Sequence, residues 1–313
     1  MQEKYYIGFD IGGTKCAVSL GKVVGGEIAV LHREETPTQN SACDTLEILL
    51  PFVLEWKTKY GVSHAGVSCG GPLNSKTGVI ICPPNLASGW YGFEIVRYID
   101  EKTGLKAKLQ NDANACAVAE WRFGAGQGTE NMVFLTFGTG LGAGLILDGK
   151  LYAGANDNAG EVGHIRLAKN GPKGYGKHGS FEGFCSGGGI SRLAQEMAKR
   201  AKKVPEYMSQ PDGVTTKELA KYAFAGDAFA KRVFAKSGEM LGKGLSVIID
   251  VINPEKIVLG GVFMRSSALL IPAMNKQIQK EALQESAQIC KIVPAKLSEN
   301  VGDIAALAIA IGE

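Results

Sequence analysis

Two glycine-rich stretches hold the residues best suited to chemistry. The first is Thr136-Phe137-Gly138-Thr139-Gly140-Leu141-Gly142-Ala143-Gly144. It lies between the apolar runs Met132-Val133-Phe134-Leu135 and Leu145-Ile146-Leu147, so its glycines link two predicted strands. Glycine allows positive φ there, and the missing Cβ lets backbone N–H groups approach a bulky anion such as phosphate. Gly138, Gly140 and Ala143 superficially fit a dinucleotide-binding fingerprint, but that motif must open a helix, and here aliphatic residues continue a strand. Taken alone, the stretch reads equally well as a plain glycine-rich hairpin. A second stretch, Ile7-Gly8-Phe9-Asp10-Ile11-Gly12-Gly13-Thr14-Lys15-Cys16-Ala17-Val18, repeats the design of strand, turn and strand. Asp10 can hold Mg²⁺ directly or through water. Thr14 can donate its hydroxyl to a phosphate oxygen, and Lys15 adds positive charge if it points inward. Aspartate beside glycine is also a common turn former. The pair of hairpins points to two related halves, each offering a phosphate-gripping turn to one cleft.

The elements that must position these turns alternate between strand and helix. Residues 64–69 read as a strand ending in Gly70-Gly71-Pro72, and 82–90 as an irregular loop, rich in proline and glycine, that carries Asn85. A short strand at 107–110 runs into Asn111-Asp112, which opens a helix. Strand-to-helix junctions of this kind are where α/β folds collect ligands, although an aspartate there also serves as an N-cap. Residues 159–165 read as loop and strand, 170–185 as irregular, and 190 to about 203 as a helix. Thr215 and Glu218 have capping-box spacing. A long helix at 227–252 has Gly242 and Gly244 for close packing, and the strand at 256–259 ends in Gly260-Gly261. The expected division is a small α/β domain, 1–116, joined by a C-terminal helix, 302–313, and a large α/β domain, 117–301.

Bulk composition limits the partners. Charged residues make up 21% of the 313-residue chain and the net charge is +3, with no basic run interleaved with aromatics, so no nucleic-acid partner is expected. The seven cysteines form no CxxC pair, which fits reduced thiols in the cytoplasm. No signal-peptide pattern precedes the first strand and no apolar run reaches membrane-spanning length, so the expectation is a cytoplasmic protein with no membrane partner.

With these residues in view, the chain resembles the ROK family of sugar kinases and repressors, and within it the bacterial glucokinases. Asp10-Ile11-Gly12-Gly13-Thr14 is similar to the family's first phosphate loop and Gly138-Thr139-Gly140-Leu141-Gly142 to its second. Gly71-Pro72 and Asn85 resemble sugar-contacting loops, and Asn111-Asp112 the sugar-binding Asn and the catalytic Asp. Glu161-Val162-Gly163-His164 resembles the Glu-x-Gly-His element, Glu182 a second sugar-binding Glu, and Gly260-Gly261 the adenosine loop. The resemblance implies a two-domain actin-like ATPase (ribonuclease H-like) fold with the cleft between the domains. It also implies ATP and Mg²⁺ as cofactors and a homodimer. ATP would be held by Asp10, Gly12, Gly13, Thr14, Lys15, Gly138, Thr139, Gly140, Gly142, Gly260 and Gly261. A sugar would be held by Gly71, Asn85, Asn111, Asp112, Glu161, His164 and Glu182, with Asp112 as general base toward a hexose hydroxyl, the 6-hydroxyl by likeness to glucokinases. An N-acetylated hexosamine is the alternative substrate. A DNA-binding repressor is a rival class, but its helix-turn-helix precedes the first phosphate loop, and here only six residues precede Ile7. The other rival is a catalytically silent sugar binder.

One departure motivates that last rival. The family's zinc motif, Cys-x-Cys-Gly-x-x-Gly-Cys-x-Glu, aligns with residues 173–182, where Lys173, Tyr175 and Ser180 replace the three cysteines. Structural zinc takes four thiolate or imidazole ligands, and His164 alone remains in place. His178 and Cys185 lie nearby in sequence and leave a rebuilt site conceivable, but the expectation is that no zinc is bound. The expected outcome is that elemental analysis of purified, unchelated protein finds no stoichiometric zinc; one zinc per chain would overturn this.

Overall fold

The computed structural model describes residues 3–209, 213–297 and 301–312; Met1, Gln2 and Glu313, at the ends of the expected small domain, lie outside them. In chain order come β1 (Tyr5–Ile11), β2 (Lys15–Val24), β3 (Glu27–Pro37), α1 (Ala42–Tyr60), β4 (His64–Cys69), β5 (Leu73–Asn74), β6 (Val79–Ile80), α2 (Ile95–Thr103), β7 (Lys106–Asn111) and α3 (Asp112–Phe123). These are followed by β8 (Met132–Phe137), β9 (Leu141–Leu147), β10 (Lys150–Tyr152), β11 (Lys173–Gly174), β12 (Lys177–His178), α4 (Phe181–Cys185), α5 (Gly187–Ala198) and α6 (Thr216–Phe224). The last elements are α7 (Ala228–Ile252), β13 (Lys256–Leu259), α8 (Val262–Glu281), α9 (Gln284–Ile289), β14 (Lys291–Pro294) and α10 (Val301–Ile311). One five-stranded sheet has the order β3-β2-β1-β4-β7 and the other β10-β9-β8-β13-β14. By contacts the chain forms two units, Met1–Glu130 with Gly144–Ala159 and Lys296–Glu313, and Asn131–Ala143 with Gly160–Ala295.

In the first unit, β1 pairs antiparallel with β2 through the turn that carries Gly12 and Gly13, and parallel with β4. β4 in turn pairs parallel with β7, and the register sets Ile11 opposite Cys69 and Cys69 opposite Asn111. The carboxyl ends of three strands are therefore level. Side chains alternate along β1 so that Ile7, Phe9 and Ile11 are buried, and α1 turns Leu46, Leu49, Val53 and Trp56 into the same core. The α10 helix, mostly alanine and aliphatic residues, lies against β1 and β4. It comes so close that a Cβ on Gly66 would stand 2.1 Å from the Ala306 carbonyl oxygen and 2.4 Å from the Ala310 nitrogen. The segment leading to α10 is tied down by the buried Glu120 carboxylate. That group accepts the N–H groups of Ala125 (2.7 Å), Lys296 (3.2 Å) and Leu297 (2.8 Å).

In the second unit α7 lies along α8, and Gly242 lets the Met274 carbonyl approach to where a Cβ would be only 2.4 Å away. The capping box of Thr215 and Glu218 forms at the start of α6 as its spacing predicted. Three expectations fail locally. Residues 159–165 hold no strand: Gly160 takes φ of 89°, breaking the extended path, and Val162–His164 is a single 3₁₀ turn. The supposedly irregular 170–185 contains the β11–β12 hairpin and α4. The helix expected from 190 begins at Gly187 because the Ser186 hydroxyl accepts the Gly189 N–H at 2.9 Å, a cap that outweighs the poor propensity of three glycines. Among the described residues no helix is long and apolar enough to cross a membrane.

Gly66→Ala forces β4 and α10 apart and is expected to destabilise the first unit by about 1–3 kcal/mol. Thermal unfolding checks this; an unchanged Tm would show that the helix is not seated on the strand as described.

Candidate active site

The level strand ends of the first unit gather the predicted residues. The Gly12 N–H donates to the Lys15 carbonyl at 3.1 Å, and Thr38 fastens the turn from outside, its hydroxyl donating to the Gly12 carbonyl at 2.6 Å and its N–H to the Thr14 carbonyl at 3.0 Å. A Cβ on Gly13 would stand 2.4 Å from the Asn85 carbonyl oxygen, and one on Gly71 would stand 3.1 Å from Asn111 Nδ2. The irregular loop bearing Asn85 thus meets the first glycine turn, and the end of β4 meets the end of β7. Lys15 stands apart: its ammonium is exposed and ion-paired with Glu35 at 2.9 Å, a carboxylate that also pairs with Arg33.

Asn111, not Asp112, caps α3, with its Oδ1 accepting the Ala113 N–H at 2.9 Å. Asp112 is therefore not the N-cap residue. Its side chain occupies the first helical position and is open to solvent, with Oδ1 also accepting the Ala113 N–H, at 2.8 Å. Protein massed around this accessible carboxyl raises its pKa above the ordinary aspartate value, and the hydrogen bond from Ala113 opposes that. Asp10 has its pKa pushed up to about 6, first by burial and then by repulsion from Asp303 and Asp112, against weaker pulls from Arg33 and Lys15. Asp303 is itself held by the Ser19 hydroxyl and Arg33 Nε, both at 2.7 Å. A carboxylate so crowded by others fits a cation. Among the described residues no three His, Cys, Asp or Glu side chains are grouped to bind a metal. The fit at Asp10 is therefore to an ion that keeps water and phosphate as its remaining ligands, the habit of Mg²⁺.

In the second unit, the turn between β8 and β9 is closed by Gly138 N–H on the Gly140 carbonyl at 3.1 Å and by Gly142 N–H on Thr136 Oγ1 at 3.0 Å. A Cβ on Gly261 would stand 2.1 Å from the Phe137 carbonyl oxygen, so the Gly260-Gly261 turn abuts this one. Thr139 belongs to the same turn, beside the first turn of α5. Glu161 and His164 are each about half exposed and 4.0 Å apart. Glu182 sits against the β8–β9 turn, where its Oε2 accepts the Leu141 N–H at 3.1 Å. The positions of the lost cysteines hold their loop by other means. The Tyr175 ring stacks on His164 at 3.8 Å between centroids, the Ser180 hydroxyl donates to the Gly174 carbonyl and accepts the Gly183 N–H, both at 3.1 Å, and His178 Nδ1 donates to the Gly171 carbonyl at 3.0 Å. Sequence reasoning missed this stack and also missed Arg192, whose only signal was a cation one turn into a helix opened by glycines.

Comparison with known proteins shows the family. The ROK family model matches residues 6–313. The glucokinase of Halalkalibacterium halodurans is 31% identical over 317 residues, spanning 97% of this chain and 94% of that protein. The xylose repressor of Bacillus spizizenii is 26% identical over 302 residues, spanning 95% of this chain and 74% of the repressor. The crystal structure of a ROK family glucokinase from Streptomyces griseus, in complex with glucose and AMPPNP, is 28% identical with a TM-score of 0.78, covering 99% of this chain and 100% of that one. A match running from β1 through α10, over two sheets of this topology, means that the chain belongs to the ROK family and has the α/β actin-like ATPase fold of its sugar kinases.

Proposed function

We propose that the protein is an ATP-dependent sugar kinase that phosphorylates a hexose, at the 6-hydroxyl, with Asp112 as general base. The observation that carries this is the state of Asp112: solvent-open, relieved of capping duty by Asn111, and raised in pKa, in the same unit as Asp10 and the first glycine turn. Phosphoryl transfer asks a protein mainly for positioning and charge stabilisation. Within the glycine turns the N–H groups of Gly13, Thr14, Thr139 and Gly140 would face phosphate, Thr14 and Thr139 would supply hydroxyls, and Gly260-Gly261 would lie near adenosine. Mg²⁺ on Asp10 would neutralise phosphate charge. Asn85, Asn111, Glu161, His164 and Glu182 suit sugar hydroxyls, since carboxylates accept two and amides donate and accept. Asp112 takes the proton of the attacking hydroxyl, and a raised pKa makes it a stronger base than an ordinary aspartate. Lys15 contributes only after releasing Glu35. A cytoplasmic homodimer, with neither nucleic acid nor membrane as partner, belongs to the same proposal.

A silent sugar-binding protein is the second reading, and Glu182 favours it, because its anionic oxygen rests on a turn that phosphate would use. A coupled ADP-release assay over glucose, mannose, fructose, allose and N-acetylated hexosamines separates the two. Sugar-dependent ADP release with at least one of them is expected; none above the sugar-free rate would end the kinase proposal. With the active sugar, Asp112→Asn is expected to lower kcat about 10²–10⁴-fold while sugar affinity is kept; near-normal turnover would remove Asp112 from the role.

Asp10 gives a prediction of opposite sign for stability. Its folded pKa, about 6, exceeds the reference 3.8, so between those values the folded state holds the extra proton and stability falls as pH rises. In chelator-treated protein, Asp10→Asn is expected to be more stable than wild type at pH 8, by up to about 3 kcal/mol, with the gain fading toward pH 4, while Mg²⁺-dependent turnover is lost. Calorimetry across that range checks it; a variant less stable at pH 8 would contradict it.

A further inference from the structure

Arg192 has no role in the site so far. Three glycine-rich turns of the second unit meet at the start of α5, the helix that carries it. The Gly187 N–H donates to the Gly138 carbonyl at 2.7 Å, which docks the start of α5 on the β8–β9 turn. A Cβ on Gly187 would stand 3.7 Å from Val262, the residue after Gly261. Arg192, four residues beyond Gly188 and so on the same helix face, folds back over the first turn of α5. A Cβ on Gly188 would stand 3.0 Å from Arg192 Nη1 and 3.6 Å from the Thr139 carbonyl oxygen. The guanidinium and the β8–β9 turn thus flank one point.

Two features of this placement are unfavourable as they stand. Arg192 Nε is buried and has no hydrogen-bond partner, and an unsatisfied buried donor costs about 1–3 kcal/mol, more when charged. A cation at a helix N-terminus also opposes the helix dipole. An anion at the same point lies within reach of Nη1, answers the charge of the guanidinium to which Nε belongs and is favoured by the dipole. The β8–β9 turn already accommodates one anionic oxygen, the Glu182 carboxylate on the Leu141 N–H. That oxygen lies at the Leu141 end of the turn, whereas Arg192 faces Thr139. Guanidinium is the side chain that best matches the paired oxygens of phosphate.

We propose that Arg192 is a nucleotide-binding residue whose guanidinium pairs with the polyphosphate of ATP at the 138–142 turn. This deepens the kinase reading and rests on it for the identity of the anion. Calorimetric titration of wild type, Arg192→Ala and Arg192→Lys with ATP, ADP, adenosine and inorganic pyrophosphate tests it. Arg192→Ala is expected to weaken ATP and ADP about 10- to 100-fold, the loss expected of a charge-assisted hydrogen bond. Adenosine affinity should be unchanged, and Arg192→Lys should recover part of the loss. The ligand-free Tm of Arg192→Ala should equal or exceed that of wild type, which a merely structural arginine would not allow. ATP binding by Arg192→Ala within twofold of wild type, or equal weakening of adenosine, overturns the proposal. If wild type binds pyrophosphate but not ATP, with Arg192→Ala losing pyrophosphate, the nucleotide assignment falls along with the kinase reading and only an anion site remains. If wild type binds neither, both ideas fail.

Discussion

The hydrogen-bond ladder that holds β1, β4 and β7 parallel and in step is the constraint from which the first unit follows. With Ile11, Cys69 and Asn111 at one level, the three turns that leave those strands must emerge side by side. Asp10, Gly71 and Asp112 come from distant parts of the sequence and are neighbours only because of this register. A slip of one residue in any pairing would reverse the faces of the strand and break the core of Ile7, Phe9 and Ile11. Glycine enters at the same level. Without Gly66 the α10 helix could not reach β4, and α10 brings with it Asp303, one of the charges that raise the Asp10 pKa. Packing and electrostatics at this site are thus one arrangement.

How legible the protein was in its sequence depended on the range of the interaction involved. Strands 5–11, 132–137 and 256–259, the α1 and α7 helices and the Thr215 capping box are written in local periodicity and cap chemistry, and each appears where the pattern put it. The glycine turns were legible as turns because few other residues would go there. Other features depended on contacts between segments far apart in sequence. That Asn111 rather than Asp112 would cap α3 turned on one backbone dihedral at the junction. Glu161-Val162-Gly163-His164 read as strand by composition, yet it forms a single 3₁₀ turn after a glycine of positive φ. The ion pair of Lys15 with Glu35 arises only once β2 lies beside β3, and no spacing in the sequence encodes it.

The loop at 173–182 shows how a metal-ligand pattern can be lost while order is kept. A tetrahedral zinc site fixes several loop positions through one ion. Here the same stretch is fixed by several weaker contacts: a two-stranded hairpin, a serine that both caps α4 and ties back to Gly174, and a tyrosine stacked on the one remaining histidine. A stacked aromatic pair contributes about 0.5–1.5 kcal/mol beyond the area it buries, much less than a structural zinc. The consequence falls on His164. Its ring is stacked on Tyr175, a contact that orients an imidazole without any metal.

The two units also divide the electrostatic work. The first presents Asp10 and Asp112 beside its glycine turn, with Asp303 behind them; carboxylates so arranged repel phosphate unless a cation stands between. The second presents backbone N–H groups, the positive end of α5 and the guanidinium of Arg192, which attract phosphate with no metal. If the kinase proposal holds, a polyphosphate alone has reason to bind the second unit, and a sugar alcohol that Asp112 would deprotonate has reason to bind the first. Under the kinase proposal, the first unit would become receptive to phosphate only with a cation such as Mg²⁺ cancelling Asp10. A basic residue in place of Asp10 could attract phosphate by itself, but it would also draw the charge of Asp112 toward an ion pair and lower its basicity. Under the kinase proposal, a base kept strong beside a bound phosphate therefore calls for a removable positive charge near Asp10, not a permanent one.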